Sequence, residues 1–476
     1  MKIKNIACIG AGFVGGPTMA VIALKCPEIK VTVLDSNESK INSWNGNLDK
    51  LPVYEPGLSE IIAKVRNKNL FFSTDIKNTI NNSEMIFMAV NTPTKDKGLG
   101  KGYAADLSNI EKCAKEIGKY SNSDKIVIEK STLPVKTAEK VKQILNQSNK
   151  KNHFEVLSNP EFLAEGTAIN DLFKSDRVII GGDNSDTGKV AIAKLKEIYQ
   201  RWIPINKILL TNVWSSELSK LVSNAMLAQR ISSINSISSI CEKTGADILE
   251  IANAVGMDKR IGPEFLKPSI GFGGSCFKKD ILNLVYIART YDLNEVADYW
   301  ESVILINNYQ TNRVSDKIKE FLNGELNKNT ISILGWAFKK NTNDSRESAS
   351  IQIASNSLIS GGSINIFDPM VSKDKIYDDI NRALVKNKIF KPKADKLISK
   401  VKIYNNKYDA VIESNLSVFC TEWDEFKNMD WIRIFQNMKE PKTIIDGRNI
   451  LNKEELSEIG FKIYSIGQVW KKRKLQ

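Results

Sequence analysis

The chain has 476 residues, 42% of them hydrophobic, which is more than one core holds, so two or three domains of ordinary size are expected. The formal charge of +13, from 68 Lys and Arg against 55 Asp and Glu, is spread along the sequence, whereas nucleic-acid binding would concentrate it on one element. No run of about 18 apolar residues occurs, and Met1-Lys2-Ile3-Lys4 leads straight into a strand-like segment, so neither secretion nor membrane spanning is expected.

The one dense basic run, Lys471, Lys472, Arg473 and Lys474, reads as a solvated tail. Six cysteines (Cys8, Cys26, Cys113, Cys241, Cys276, Cys420) lie far apart with no CxxC pair, which fits neither a disulfide framework nor a zinc site and points to a reducing, cytoplasmic setting. His153 is the only histidine, so a His-based triad and a metal site are not expected. Acid-base chemistry falls to Lys, Glu, Asp or bound water.

From residue 1 to about 210, β-branched runs alternate with helical patterns: Ile6 to Ile9, Val31 to Leu34, Met85 to Val90 and Ile126 to Ile128. Alternation of this kind predicts a parallel, doubly wound sheet. Helical periodicity then takes over, beginning with Leu218, Leu221, Val222 and Ala225 on one stripe. The strand signal returns at Ile331 to Gly335, Ile364 to Asp368, Val418 to Cys420 and Ile444 to Asp446. The expected class is α/β: two Rossmann-like doubly wound domains, 1–212 and 326–476, joined by a central helical domain, 213–325. The second α/β domain is expected to bind a second nucleotide-like ligand. Residues 371–410, rich in Lys and Asp, read as an irregular surface insertion.

Gly10-Ala11-Gly12-Phe13-Val14-Gly15 follows the first strand and opens a helical pattern. In that context the first glycine permits the turn, the second lets the backbone approach a pyrophosphate, and the third lets helix and strand pack. Asp35 ends the second strand, where a carboxylate accepts from a ribose diol and repels a 2′-phosphate, so NAD is expected over NADP. Lys40 reads equally as a ribose contact or a solvated lysine. Two strand-end loops, Val90-Asn91-Thr92-Pro93-Thr94 and Ser131-Thr132-Leu133-Pro134, are placed to line a nicotinamide site or to be plain turns.

Gly271-Phe272-Gly273-Gly274-Ser275-Cys276-Phe277 delivers a cysteine to the start of a helix predicted over Lys278 to Ala288. A helix N-terminus with cations nearby favours the thiolate, the reactive form of a cysteine. Asp280 stands four residues on, on the same helical face. Lys220 and Asn224 share that spacing on the central helix and can aim an ammonium and an amide at one oxyanion, or be two solvated polar residues. Glu161 and Glu165 have the spacing too and offer a carboxylate base, or are helix-surface carboxylates.

Taken in order, Gly10 to Gly15 with Asp35, Asn91 to Thr94, Ser158 to Gly166, Lys220 to Asn224, Gly271 to Cys276 and Asp446-Gly447-Arg448 resemble the UDP-glucose 6-dehydrogenase family, nearest its animal-type members, over almost the whole chain. The resemblance implies a four-electron oxidation of UDP-glucose to UDP-glucuronate with two NAD+ per sugar, through a thiohemiacetal and a thioester on Cys276, then hydrolysis. It assigns Lys220 and Asn224 to the oxyanions, Glu161 to proton transfer, and Thr132 with Asp280 to a catalytic water. It assigns NAD to Gly10, Gly12, Phe13, Val14, Gly15, Asp35, Lys40, Val90 to Thr94, Ser131, Thr132, Glu165, Cys276, Lys279 and Arg346. The sugar nucleotide falls to Glu161, Phe162, Leu163, Ala164, Glu165, Lys220, Asn224, Lys267, Phe272, Gly273, Phe338, Lys339 and Arg448 in a C-terminal UDP-sugar-binding domain, with Arg260 reaching in from a neighbouring subunit. A homo-oligomer is implied, a dimer or a hexamer.

Two departures stand out: Lys40 where animal enzymes tend to carry Arg, and the short stretch after Trp470. Competing readings are a dehydrogenase of GDP-mannose or a UDP-N-acetylhexosamine, a β-hydroxyacid dehydrogenase, and a non-enzymatic nucleotide or redox sensor built on Cys276.

Overall fold

The computed structural model describes residues 2–469; the basic run Lys471 to Lys474 lies outside them. Among the described residues the strands form two sheets. The first holds β1 (Asn5–Ile9), β2 (Lys30–Leu34), β3 (Leu70–Ser73), β4 (Met85–Met88), β5 (Lys125–Glu129), β6 (Phe154–Ser158), β7 (Val178–Gly181) and β8 (Ile208–Thr211), in the order β3-β2-β1-β4-β5-β6-β7-β8. The second holds β9 (Thr330–Leu334), β10 (Ser363–Phe367), β11 (Val401–Ile403), β12 (Leu416–Phe419), β13 (Thr443–Asp446) and β14 (Lys462–Ser465), ordered β11-β10-β9-β12-β13-β14. Each begins from its first strand outward in both directions, the doubly wound order.

The strands read as unbroken apolar runs because both faces are covered. On β1, Ile6 and Cys8 join the core on one face of the sheet while Ala7 and Ile9 join the core on the other. Each fully buried Ile or Leu contributes about 1.5–3 kcal/mol. The second sheet is parallel throughout. The first departs from the expected parallel sheet at one place: β7 pairs antiparallel to β6 and parallel to β8. The chain returns from β6 without crossing the sheet, which an antiparallel neighbour allows.

The helices that position the site are α1 (Gly15–Lys25), α2 (Thr137–Ser148), α3 (Val213–Thr244), α4 (Ile248–Gly256), α5 (Phe277–Thr290) and α6 (Asn294–Phe321). Of the predicted stripe on α3, Leu221 and Ala225 are fully buried while Leu218 and Val222 are half-buried. None of the helices is long and apolar enough to cross a membrane among the described residues. The chain forms two compact units, one running through Ser223 and taking in Leu282–Asn294, the other formed by Asn224–Ile281 and the chain from Glu295 on.

The irregular insertion expected over 371–410 is not there. The stretch contains the helix α7 (Lys373–Lys386), a short helix Lys393–Ile398 and the edge strand β11. Ile376, Ile380 and Leu384 recur at four-residue spacing and are fully buried, so a one-sided helix lies beneath the charged residues that dominate the composition.

Candidate active site

In the first unit, β1 runs into the glycine loop and α1. Gly10 has φ +115, and a Cβ there would meet the Ala89 carbonyl oxygen at 2.3 Å. A Cβ on Gly12 would meet nothing within 4 Å, while one on Gly15 would stand 1.9 Å from the Gly10 carbonyl oxygen. Gly12 therefore faces open space and Gly15 is a packing glycine. Phe13 and Val14 complete the loop, with Val14 capping α1. Asp35 Oδ2 accepts from the Ala11 N–H at 3.1 Å and from Lys40 Nζ at 2.8 Å, and Oδ1 from the Asn37 N–H at 3.0 Å. Burial pushes its carboxyl up, but Lys40 and the two backbone donors outweigh that and hold it below the usual range.

The loops after β4 and β5 are joined. Thr92 Oγ1 donates to the Thr132 carbonyl at 3.1 Å, and Ser131 Oγ donates to the Val90 carbonyl at 2.7 Å. Asn91 accepts from Asn109 at 3.0 Å, the Pro93 carbonyl from the Asp106 N–H at 2.7 Å, and Thr94 bridges to Ala105. These segments are tied turns at the carboxyl ends of neighbouring strands.

Glu161 and Glu165 do not share a helix face. Pro160 and Gly166, the latter at φ +82, bound an irregular stretch, and the next helix starts only at Ala168. Glu161 Oε2 instead meets the buried Lys130 Nζ at 2.8 Å. Lys130 Nζ also donates to Tyr199 and Asn159, both at 3.1 Å. Burial opposes the charge on Glu161, yet Lys130, the Phe162 N–H and Lys220 hold its carboxyl below the usual range; burial likewise opposes the charge on Lys130, which Glu161 and Tyr199 raise above its usual range. The Phe162 ring lies 5.1 Å from Lys220 Nζ and 4.2 Å from the Arg177 guanidinium. Leu163 packs on the core, Ala164 N–H donates to Asp171, and Glu165 is half-buried.

In the second unit, Cys276 is the one exposed cysteine; the other five are buried. Burial pushes the Cys26 thiol up to about 11, those of Cys8 and Cys420 up to about 12, and those of Cys113 and Cys241 upward too, so these five are packing residues. Cys276 stands at the start of α5, its carbonyl taking the first helical hydrogen bond from Asp280 N at 2.9 Å. The loop before it is held closely. Phe272 exchanges two hydrogen bonds with the Asn307 amide, at 2.8 and 3.0 Å, and the Gly274 N–H donates to the Arg346 carbonyl at 2.8 Å. A Cβ on Gly273 would meet the Glu347 carbonyl oxygen at 2.7 Å. Asp280, one turn along, accepts from Asn224 Nδ2 at 2.6 Å and pairs with Lys279 at 3.2 Å.

Arg448 follows β13, donating to the Cys420 and Phe338 carbonyls at 2.7 and 2.8 Å and pairing with Glu422 at 3.3 Å. Lys339 Nζ lies 5.6 Å from the Phe338 ring centre. Arg346 is engaged by Asp344 through Nε at 2.8 Å and Nη2 at 2.7 Å. Lys267 and Arg260 are exposed, and Arg260 pairs locally with Asp258 at 2.6 Å.

Three family models match in chain order, all of the UDP-glucose/GDP-mannose dehydrogenase family: its NAD binding domain over residues 4–203, its central domain over 214–309 and its UDP binding domain over 332–453. A UDP-glucose 6-dehydrogenase of Drosophila melanogaster is 52% identical over 469 residues, covering 98% of this chain and 97% of its own. The chain belongs to the UDP-glucose/GDP-mannose dehydrogenase family. UDP-glucose 6-dehydrogenase 2 of Arabidopsis thaliana is 50% identical over 471 residues, with 98% and 97% covered. Among solved structures, a UDP-glucose dehydrogenase from Pyrobaculum islandicum superposes with a TM-score of 0.82 at 27% identity, covering 98% of each chain.

As in this dehydrogenase family at large, NAD is the cofactor, and the residues present fit it. The open face over Gly12 admits a pyrophosphate and Asp35 presents a carboxylate at the end of β2. Sequence reading passed over Lys130 and Asn307. The signal for Lys130 was available, since a lysine directly after a buried strand needs a partner; Asn307 gave none, because one asparagine in a long helix has no pattern.

Proposed function

We propose that this chain oxidises the C6 primary alcohol of UDP-glucose to the carboxylate of UDP-glucuronate, with Cys276 as the covalent nucleophile. The observation that carries the reading is the single exposed thiol, held by a glycine loop at the start of α5 one turn from Asp280. NAD supplies the hydride acceptor for each of the two oxidations. The remaining steps fall to side chains and water. The C6 hydroxyl proton passes to solvent water, and Lys220 and Asn224 stabilise the alkoxide from which each hydride leaves, an ammonium and an amide donor suited to the negative charge that forms on oxygen. The Cys276 sulfur adds to the aldehyde carbon, which restores a tetrahedral C–H bond and so makes the second oxidation possible.

Glu161, ionised beside Lys130, takes the proton from the water that attacks the thioester. Thr132 and Asp280 are assigned to holding that water. The new C–O bond displaces the C–S bond, and the thiolate leaves. The diphosphate and uridine fall to Lys339, Phe338, Phe272, Gly273, Lys267 and Arg448, with Phe162 to Glu165 along the sugar. Lys40, Glu165, Lys279 and Arg346 are assigned to NAD, and Arg260 to a neighbouring subunit's site.

The chain is proposed to work in the cytoplasm as a homodimer or a hexamer. Six free cysteines support the first, and exposed Met226, Ile240, Leu249, Met257, Tyr299 and Leu305 support the second. Sedimentation showing only monomers at micromolar concentration would contradict the assembly. The function itself is tested by incubation with UDP-glucose and excess NAD+, counting NADH per sugar. Two NADH and glucuronate are expected; one NADH, or preference for GDP-mannose or a UDP-N-acetylhexosamine, would replace the reading.

A further inference from the structure

β5 ends at Glu129, whose side chain is 1% exposed, and among the described residues no hydrogen-bond donor reaches either of its carboxyl oxygens. The group facing it is another carboxyl, that of Glu217 on α3, also buried. Glu217 is also engaged by the start of α2. Its Oε2 accepts from the Lys136 N–H and its Oε1 from the Ala138 N–H, both at 2.8 Å. Among the neighbouring cations, Lys130 pairs with Glu161, Lys136 lies over the Tyr291 ring and Lys220 lies over the Phe162 ring.

Two carboxyls facing each other away from water cannot both ionise, and as anions neither has a hydrogen to donate. We propose that Glu129 and Glu217 hold one proton between them and act as positioning residues for the oxidation. Burial and the charge of Glu217 push the Glu129 carboxyl well above the usual carboxylate range, in keeping with that proton. The shared proton closes a brace. Glu129 fixes the near end of the 130–136 loop, Glu217 fixes the far end, and Lys220 follows Glu217 by three residues on the same helix. The loop carries Lys130, which pairs with Glu161, and Thr132. The inference rests on the roles proposed above for Thr132, Glu161 and Lys220.

Glu129→Gln and Glu129→Leu in the full chain test it, through kcat and KM from weakly acidic to alkaline pH and through the infrared carbonyl band of a protonated buried carboxylic acid. Gln supplies an N–H where the proton stood, so its kcat near neutrality is expected within about twofold of the parent, with the alkaline limb flattened because an amide does not titrate. Leu breaks the brace and is expected to lower kcat on the order of a hundredfold with much less change in KM. The parent should show the infrared band at neutral pH and the Gln variant should lack it. An absent band in the parent, or a Leu variant with parental kcat and pH profile, overturns the proposal. If the Leu variant does not fold, a Gln variant that keeps the alkaline limb overturns it. Should Lys220→Ala and Thr132→Ala retain full turnover, the site reading fails while the band still decides the shared proton.

Discussion

Lys130 Nζ and Glu161 Oε2 stand 2.8 Å apart, with side chains 3% and 14% exposed, bridging the ends of the adjacent strands β5 and β6. Neither charge is tenable there alone, and each is maintained by the other.

Lys130→Met leaves Glu161 buried beside an apolar chain. A loss of about 3–5 kcal/mol in denaturant unfolding is expected, the cost of breaking a buried pair. In the parent, Glu161 is held below its usual range, so its stabilisation is complete above the unfolded-state value and is lost only as pH falls through the folded one. Without Lys130 the sign reverses: burial then raises the carboxyl, and the acid limb of kcat moves to higher pH. An acid limb identical to the parent's would show that Glu161 does not govern it.

Cys276→Ser removes the sulfur proposed to carry the second oxidation. Net UDP-glucuronate formation should fall by at least about a thousandfold, while calorimetry shows UDP-glucose bound as before. Parental rates of acid formation would eliminate the covalent route.

The two loop glycines should separate binding from folding. Gly12→Ala adds a Cβ that touches nothing in the protein, so the thermal midpoint should hold while NAD binding is lost. Gly15→Ala puts a Cβ 1.9 Å from the Gly10 carbonyl and should destabilise the fold by several kcal/mol, on the order of other overpacked sites. Equal NAD affinity in Gly12→Ala would remove the pyrophosphate from this loop.

Asp35→Ala deletes the carboxylate proposed to accept from a ribose diol and frees Lys40 from its ion pair. The KM for NAD should rise about ten- to hundredfold, from the ~1.5–3 kcal/mol of hydrogen bonds to a charged group. Discrimination against NADP should weaken, since Lys40 then meets a 2′-phosphate without the opposing carboxylate. Unchanged kinetics with both cofactors would count against the assignment.

The parallel core was legible because β1, β2, β5 and β9 are short runs rich in apolar and β-branched residues set between helical patterns. The glycine loop was legible because turn, close approach and packing each demand glycine at a fixed spacing. The short strands β3 and β8 carried no such run, the three-residue run Val178 to Ile180 of β7 stood without a second strand signal beside it, and α7 hid its buried Ile376, Ile380 and Leu384 among lysines and aspartates. Glu161 and Glu165 misled because spacing speaks to direction only when the backbone is helical, and Pro160 with Gly166 keeps it from being so.

By itself the sequence singled out the groups able to carry the proposed chemistry: a thiol at a helix start, a carboxylate at the end of β2, and an ammonium and an amide one turn apart. These follow from local order along the chain. The tertiary structure alone decided what those groups face. Lys130 finds Glu161, Asn224 finds Asp280 and Glu129 finds Glu217 across sequence separations that no local pattern records. Each pairing exists because a buried charge or polar group must be matched where the chain happens to meet itself.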